Sequence, residues 1–301
     1  MRAVIEKDVL EDCFNGASSE VLIAAHASVL GVTEAIVEEY MNITDPSGMY
    51  KEWFDKKFSV SANHYLVRNE ILAKYGLNKS CINSNYVGAA YHSASTMIAK
   101  SKTRFAALNP SEWGISVIES ATYRYTPSAH SWGVKIAEIL TLKPGGKATP
   151  AALSKYFLRE KLLFIFDKSI NRRGADFICE ITRYCAPDCK VIVMSNFHKS
   201  ISRGVMDRLE LEKYLNANKH NGTVSVKQAD KVVTDNYHDR FIFLGERLQM
   251  TFSSGLDCFG LKGDWTNSDG DITVHCIHNS SIYMEFSSGQ SRYRFKSKGG
   301  A

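Results

Sequence analysis

No Cys-x-x-Cys pair occurs in this chain. Its seven cysteines, Cys13, Cys81, Cys179, Cys185, Cys189, Cys258 and Cys276, are scattered and odd in number. A disulfide framework or a structural zinc site needs tighter spacing. Cys185 and Cys189 bracket Pro187 without making a metal motif, so reduced thiols and no metal are expected. No stretch reaches the ~20 apolar residues of a membrane helix. Met1 to Leu10 mixes charged and apolar residues, so no secretory leader is expected and a cytoplasmic location follows. There is no internal repeat and no low-complexity segment. Neither sign of charge dominates: the net charge is +5 and the sequence pI is near 8.7. Such a balance permits a nucleic-acid or anionic-lipid partner without requiring one.

The 301 residues suffice for two ordinary domains, and a 44% hydrophobic, 23% charged composition is that of a folded globular chain. Residues 1 to about 150 read as mainly helical. Ser18 and Ser19 are positioned to cap a helix with Val21, Leu22, Ala25 and Val29 on one face. Val32 to Tyr40 continues the helical pattern and stops at Asp45-Pro46-Ser47-Gly48. Further amphipathic stretches are expected around 66–75, 86–100 and 132–142, and a short strand over Ala121–Tyr125.

Lys143-Pro144-Gly145-Gly146-Lys147, followed by Thr149-Pro150, reads as a linker between domains 1–150 and 156–301. It is not a phosphate-cradling P-loop. That loop requires Gly where Thr141 stands and Ser or Thr where Ala148 stands. After it the pattern changes. Leu162–Phe166 and Val191–Met194 are continuous apolar runs typical of buried parallel strands. Asn171–Tyr184 and residues 203–217 have helical periodicity, and Thr223–Val226 is a third strand. This alternation predicts an α/β domain with helices on the faces of a sheet.

The segment that suggests chemistry is Tyr237-His238-Asp239-Arg240-Phe241-Ile242-Phe243-Leu244-Gly245-Glu246. On a strand, His238 and Arg240 share a face and can converge on one phosphate. The imidazole can serve as nucleophile or proton carrier while the guanidinium neutralises phosphoryl oxygens. Asp239 would point the other way. Ser253-Ser254-Gly255 follows as a small-residue loop, and Asp167 ends a strand, where open α/β sheets place functional side chains.

These residues resemble the phospholipase D-like superfamily, whose motif is His-x-Lys with Asp seven residues after the His, followed by a small-residue loop. His238 matches the His, and Ser253, Ser254 and Gly255 match the loop. Arg240 stands at the Lys position and Gly245 at the Asp position, with Glu246 one residue late. The His-Asp-Arg opening and the ending Gly255-Leu256-Asp257-Cys258-Phe259 are similar to two degenerate branches. One comprises bacterial and phage proteins. The other is the C-terminal domain of eukaryotic proteins with a microtubule-interacting and trafficking domain, understood as lipid-binding and non-catalytic.

The resemblance covers about residues 160–290. It implies a mixed sheet flanked by helices, and His238, Arg240 and Glu246 as the remnants of a catalytic set. It further implies Ser253, Ser254 and Gly255 as a phosphate loop, with Asp167 auxiliary and no cofactor. Superfamily catalysis draws on two His motifs and only one is readable here, so a homodimer is expected. Three functions stay open: a phosphate-binding domain with reduced chemistry, most simply for nucleic acid in host–phage conflict; an active phosphodiesterase or nuclease; and a scaffold or anionic-lipid binder. The tail Arg292–Lys298 alternates cations with aromatic or small residues and would suit a phosphate backbone or a solvated strand equally.

Overall fold

A computed structural model describes residues 2–16, 19–60, 63–93, 96–125, 136–197, 204–229 and 239–276. The chain divides into two compact units, Met1–Ala137 and Glu138–Ala301.

The first unit is α/β, not mainly helical. Its described elements run β1 (Arg2–Ile5), α1 (Lys7–Phe14), α2 (Ser19–Ala27), β2 (Val29–Val32), α3 (Glu34–Met41), α4 (Met49–Ser59), β3 (His64–Leu66), α5 (Asn69–Lys74), α6 (Ile82–Ser93), β4 (Thr96–Ala99) and β5 (Val117–Glu119). The strands form one parallel sheet in the order β3-β2-β1-β4-β5. The helical reading failed for a physical reason. These strands are three or four residues long, and β2 is buried along its whole length. They therefore lack the alternation that marks a half-exposed strand. Val29, assigned above to a helical face, instead begins β2, and residues 96–99, assigned to a helix, form β4. Ala121–Tyr125 is a 3-10 turn and extended backbone beyond β5, not a strand.

Two buried charges organise this unit. Glu6, at the end of β1, accepts from the guanidinium of Arg104 and from the Lys100 N–H at 2.7 Å. Lys57 is buried on α4, and its ammonium donates to the carbonyls of His26 and Ser28 at 3.0 and 2.7 Å, where α2 ends. Burial lowers the Lys57 amine to about 8.

The second unit comprises β6 (Ile136–Leu142), α7 (Ser154–Phe157), β7 (Leu162–Phe166), α8 (Arg172–Ile181), β8 (Lys190–Ser195), α9 (Arg208–Asn218), β9 (Thr223–Gln228), β10 (Arg240–Leu244), β11 (Leu248–Phe252) and β12 (Gly270–Cys276). Its seven strands lie in the order β6-β12-β11-β10-β7-β8-β9. β7, β8 and β9 are parallel, while β10 runs antiparallel to β7 and continues into an antiparallel meander with β11 and β12. The strands expected near 162–166, 190–194 and 223–227 are in this sheet, and of the one expected near 238–244 the described part, Arg240–Leu244, is β10. It is mixed, unlike the parallel first sheet, so the first unit does not repeat the second.

Two boundaries differ from expectation. Residues 136–142 form a strand of the second sheet, although their apolar spacing suggested a helix. The Lys143–Pro150 stretch lies inside the second unit and is not an interdomain linker. Gly145 N–H donates to the Asn267 carbonyl at 2.9 Å, and the buried Asn267 side chain accepts from Ala148 N–H at 2.8 Å. Glycine and proline mark a turn there, and a turn inside a domain has the same local chemistry as a linker.

Side-chain alternation splits the second sheet into two faces. Phe164 and Phe166 of β7 lie beside Phe243 and Phe241 of β10, with ring centroids 6.2 and 6.3 Å apart. Ile165, Ile242 and Phe252 are on the other face, where Phe177 of α8 meets Phe252 edge-on at 5.6 Å and stacks on Phe259 at 5.1 Å. Below the β10–β11 turn, Arg247 and Glu160 form an ion pair at 3.4 Å, with side chains 2% and 1% exposed. Arg247 also donates to the Tyr156 carbonyl. Removing one partner strands the other charge in the core, so Glu160→Ala should cost about 3–5 kcal/mol in urea denaturation. Replacing both residues with apolar ones should recover much of that loss.

Candidate functional site

The residues that carry polar chemistry gather where the parallel strands end. Phe241 pairs with Phe166, Phe166 with Met194, Ser195 with Gln228, and Arg240 with Phe252. Carrying that register one residue further aligns Arg240, Asp167, Ser195 and Gln228 across β10, β7, β8 and β9. Alternation puts all four on the face that carries α8. This row crosses the carboxyl edge of β7–β9, the edge at which open α/β sheets bind ligands.

Asp167 is the anchor. It is 3% exposed. One carboxylate oxygen accepts from Ser169 N–H at 3.0 Å and lies 3.5 Å from Arg240 Nε, and the other accepts from Leu256 N–H at 3.2 Å. Burial pushes its carboxyl above the usual range, opposed by the Ser169 N–H, the Arg240 charge and the Leu256 N–H. Arg240, with its side chain 25% exposed, is reachable from solvent.

The small-residue loop lies beside it. Gly255 has φ 148° and ψ 167°, a conformation essentially restricted to glycine. A Cβ there would fall 2.6 Å from Asp257 Oδ1 and 3.9 Å from Arg240 Nε. No described residue accepts from the N–H groups of Ser254 and Gly255. The serine hydroxyls have structural roles: Ser253 Oγ accepts from Asp271 N–H at 2.8 Å, and Ser254 Oγ donates to the Asp269 carbonyl. They hold the start of β12 while leaving the backbone of the loop open. The loop thus runs beside the Arg240 guanidinium, with Ser254 exposed and Gly255 buried.

Of the residues singled out in the sequence, the structure brings Asp167, Arg240 and Gly255 together, with Ser253 and Ser254 on the adjoining turn. Glu246 is not among them. It is exposed in the β10–β11 turn, at the opposite end of β10 from Arg240. Gly245, at the motif's Asp position, donates its N–H to the Leu162 carbonyl at 2.7 Å and serves the turn. Asp239 is exposed in the bend before β10. His238 lies outside the described residues, as do His278 and the Arg292–Lys298 tail.

Sequence reasoning passed over three residues here. Asn171 caps α8 through Gly174 N–H at 3.1 Å, and its amide donates to Asp257 Oδ2 at 2.7 Å, tying the helix to the loop. Asn at the start of a helical period was the available signal. The other two gave no signal at all: Asp257, and Ser195, whose fully buried hydroxyl has no hydrogen-bond partner among the described residues. Cys13, Cys81, Cys179, Cys185, Cys189 and Cys258 are free thiols, and no cluster of metal-ligating side chains occurs among the described residues. No described helix is long and apolar enough to cross a membrane. No protein-family model matches the chain, and no curated protein matches it either.

Two outcomes test this geometry. Gly255→Ala forces both the backbone and Asp257 to move and should destabilise the second unit by ~1–3 kcal/mol in denaturant titration. For Asp167, a folded-state proton affinity above the unfolded one means that its contribution to stability is lost as pH rises through the folded value. The stability of wild type relative to Asp167→Asn should therefore decline from the ordinary carboxylate range upward. A flat difference between the two across that range would contradict the assigned environment.

Proposed function

We propose that the second unit is a phospholipase D-like domain that holds a phosphate of a nucleic acid at the carboxyl edge of its parallel strands, with its chemistry reduced. One observation carries this reading: a solvent-reachable arginine stands beside a glycine-only turn whose Ser254 and Gly255 N–H groups have no acceptor among the described residues. A phosphate offers several oxygens to such a set, and charged hydrogen bonds are the stronger kind. Asp167 sets the direction of Arg240, so the cation is oriented before a ligand arrives.

Reduced chemistry is supported by the residues at the motif's other positions. Arginine cannot readily shed a proton, so Arg240 can neutralise a phosphate but cannot relay protons as lysine does. Gly245 has no carboxylate, and Glu246 is at the wrong end of its strand to replace one. The active-enzyme alternative requires two copies of His238 brought together in a homodimer. Light scattering that returns a monomer at micromolar concentration would remove it.

Affinity for a labelled oligonucleotide, read by fluorescence anisotropy, tests the reading directly. Arg240→Ala should weaken binding by ~1.5–3 kcal/mol, the range for a charged hydrogen bond. His238→Ala should do less in a binding domain and abolish turnover in an enzyme, because a covalent nucleophile has no substitute. Unchanged affinity in both variants would leave the scaffold reading.

A further inference from the structure

Next to the anion loop, the first turn of α8 carries an arginine whose setting the phosphate site does not explain. Arg172 begins the helix and its side chain is 59% exposed, yet its guanidinium has two partners. Its central carbon lies over the Tyr214 ring on α9, 3.8 Å from the ring centroid. Its Nε lies 3.5 Å from Asp176 Oδ1. That aspartate is 4% exposed and is itself fixed: it accepts from the Tyr214 hydroxyl and, through Oδ2, from Lys262 N–H at 3.0 Å. Burial and the Asp176 hydrogen bond raise the Tyr214 phenol to about 12, so it stays a donor at neutral pH.

One face of the Arg172 plane is thus taken by an aromatic ring and one edge by a carboxylate, while the rest of the side chain meets solvent. A planar cation held over a ring and beside a carboxylate offers a surface on which a nucleobase can stack, and unpaired bases stack on arginine planes as well as on aromatic rings. The platform adjoins the anion loop through a short chain of contacts. Asn171, immediately before Arg172, holds Asp257, which lies two residues after Gly255. Arg173 and Lys262, both exposed, add positive charge around it.

We infer that Arg172, stacked on Tyr214, is a base-stacking platform, and that the strand whose phosphate sits at Arg240 and Gly255 is single-stranded nucleic acid. This rests on the phosphate-site reading above and adds the class of nucleic acid to it. Bases are available for stacking only when they are not paired, so a duplex would use the phosphate site alone.

The test compares Arg172→Lys with wild type on three probes: a twelve-residue oligothymidylate, the same strand without bases, and inorganic phosphate. Lysine keeps the charge and removes the plane. Arg172→Lys should weaken the oligothymidylate about tenfold, within the range for loss of one base stack. Affinity for the abasic strand and for phosphate should not change. Circular dichroism and the melting temperature establish that the variant is folded. Unchanged oligothymidylate affinity overturns the inference, and so does equal weakening of the abasic strand, which would make Arg172 an ionic or structural residue. Wild type binding duplex as tightly as single strand also overturns it. Arg240→Ala separates the two readings. If that variant loses phosphate while Arg172→Lys keeps the oligothymidylate, only the platform fails. If wild type binds none of the three probes, both fail.

Discussion

The carboxyl edge of the second sheet depends on one buried carboxylate. Asp167 joins three stretches far apart in sequence: the turn after β7 through Ser169, the start of β10 through Arg240, and the Gly255 loop through Leu256. An isolated carboxylate could not remain charged at 3% exposure. Each of its contacts is therefore a condition for the others, because losing one donor raises the cost of keeping the charge. Arg240 is held in turn by that charge, and the loop by the same group. Gly255 is then favoured by its backbone conformation, and a Cβ there would also meet the Asp257 carboxylate at 2.6 Å.

Asp176 repeats the device one turn into α8. It too is buried and receives donors from separate elements, Tyr214 on α9 and Lys262 beyond β11, and it too fixes an arginine at the surface. The two aspartates differ in what their arginines can do. Arg240 is three-quarters buried and lies beside the Gly255 loop, a compact setting. Arg172 lies over a ring and is mostly exposed, a geometry for a flat partner. A buried acid beneath a surface arginine exchanges side-chain freedom for direction, and direction is what separates a recognition site from a solvated cation.

The legibility of the chain follows from where each element keeps its apolar residues. β7 and β8 are uninterrupted apolar runs between polar ends, and α8 keeps Phe177, Ile178 and Ile181 at helical spacing, so all three were readable. In the first unit, β2 follows α2 across Ser28 alone, and one apolar stretch crosses both, so a helix absorbed a strand. α6 is buried from Ser84 to Ser93, on all sides, and gave no stripe from which to infer a sheet beneath it. At the site, Arg240 and Gly255 were legible because a short motif names them. Asp176, Asp257 and Tyr214 were not, because they are defined by partners 38 to 86 residues away, and no local pattern encodes such pairs; Asn171 carried only the local signal of a helix cap.

Arginine at position 240 can be compared with a lysine in the same geometry. A lysine ammonium is a point charge on a flexible stem, able to rotate its donors and to shift its proton affinity. Beside Asp167 it would be drawn wholly to the carboxylate, since one compact charge cannot face two ways. A guanidinium has a fork of five donors, so it can face Asp167 through Nε while its terminal nitrogens remain directed elsewhere. Arginine thus suits a site in which a buried acid positions the cation, and it does not allow the proton traffic a lysine would. A domain built this way gains orientation toward an anion and gives up a route to chemistry. That is the balance expected if recognition, and not turnover, is what the second unit performs.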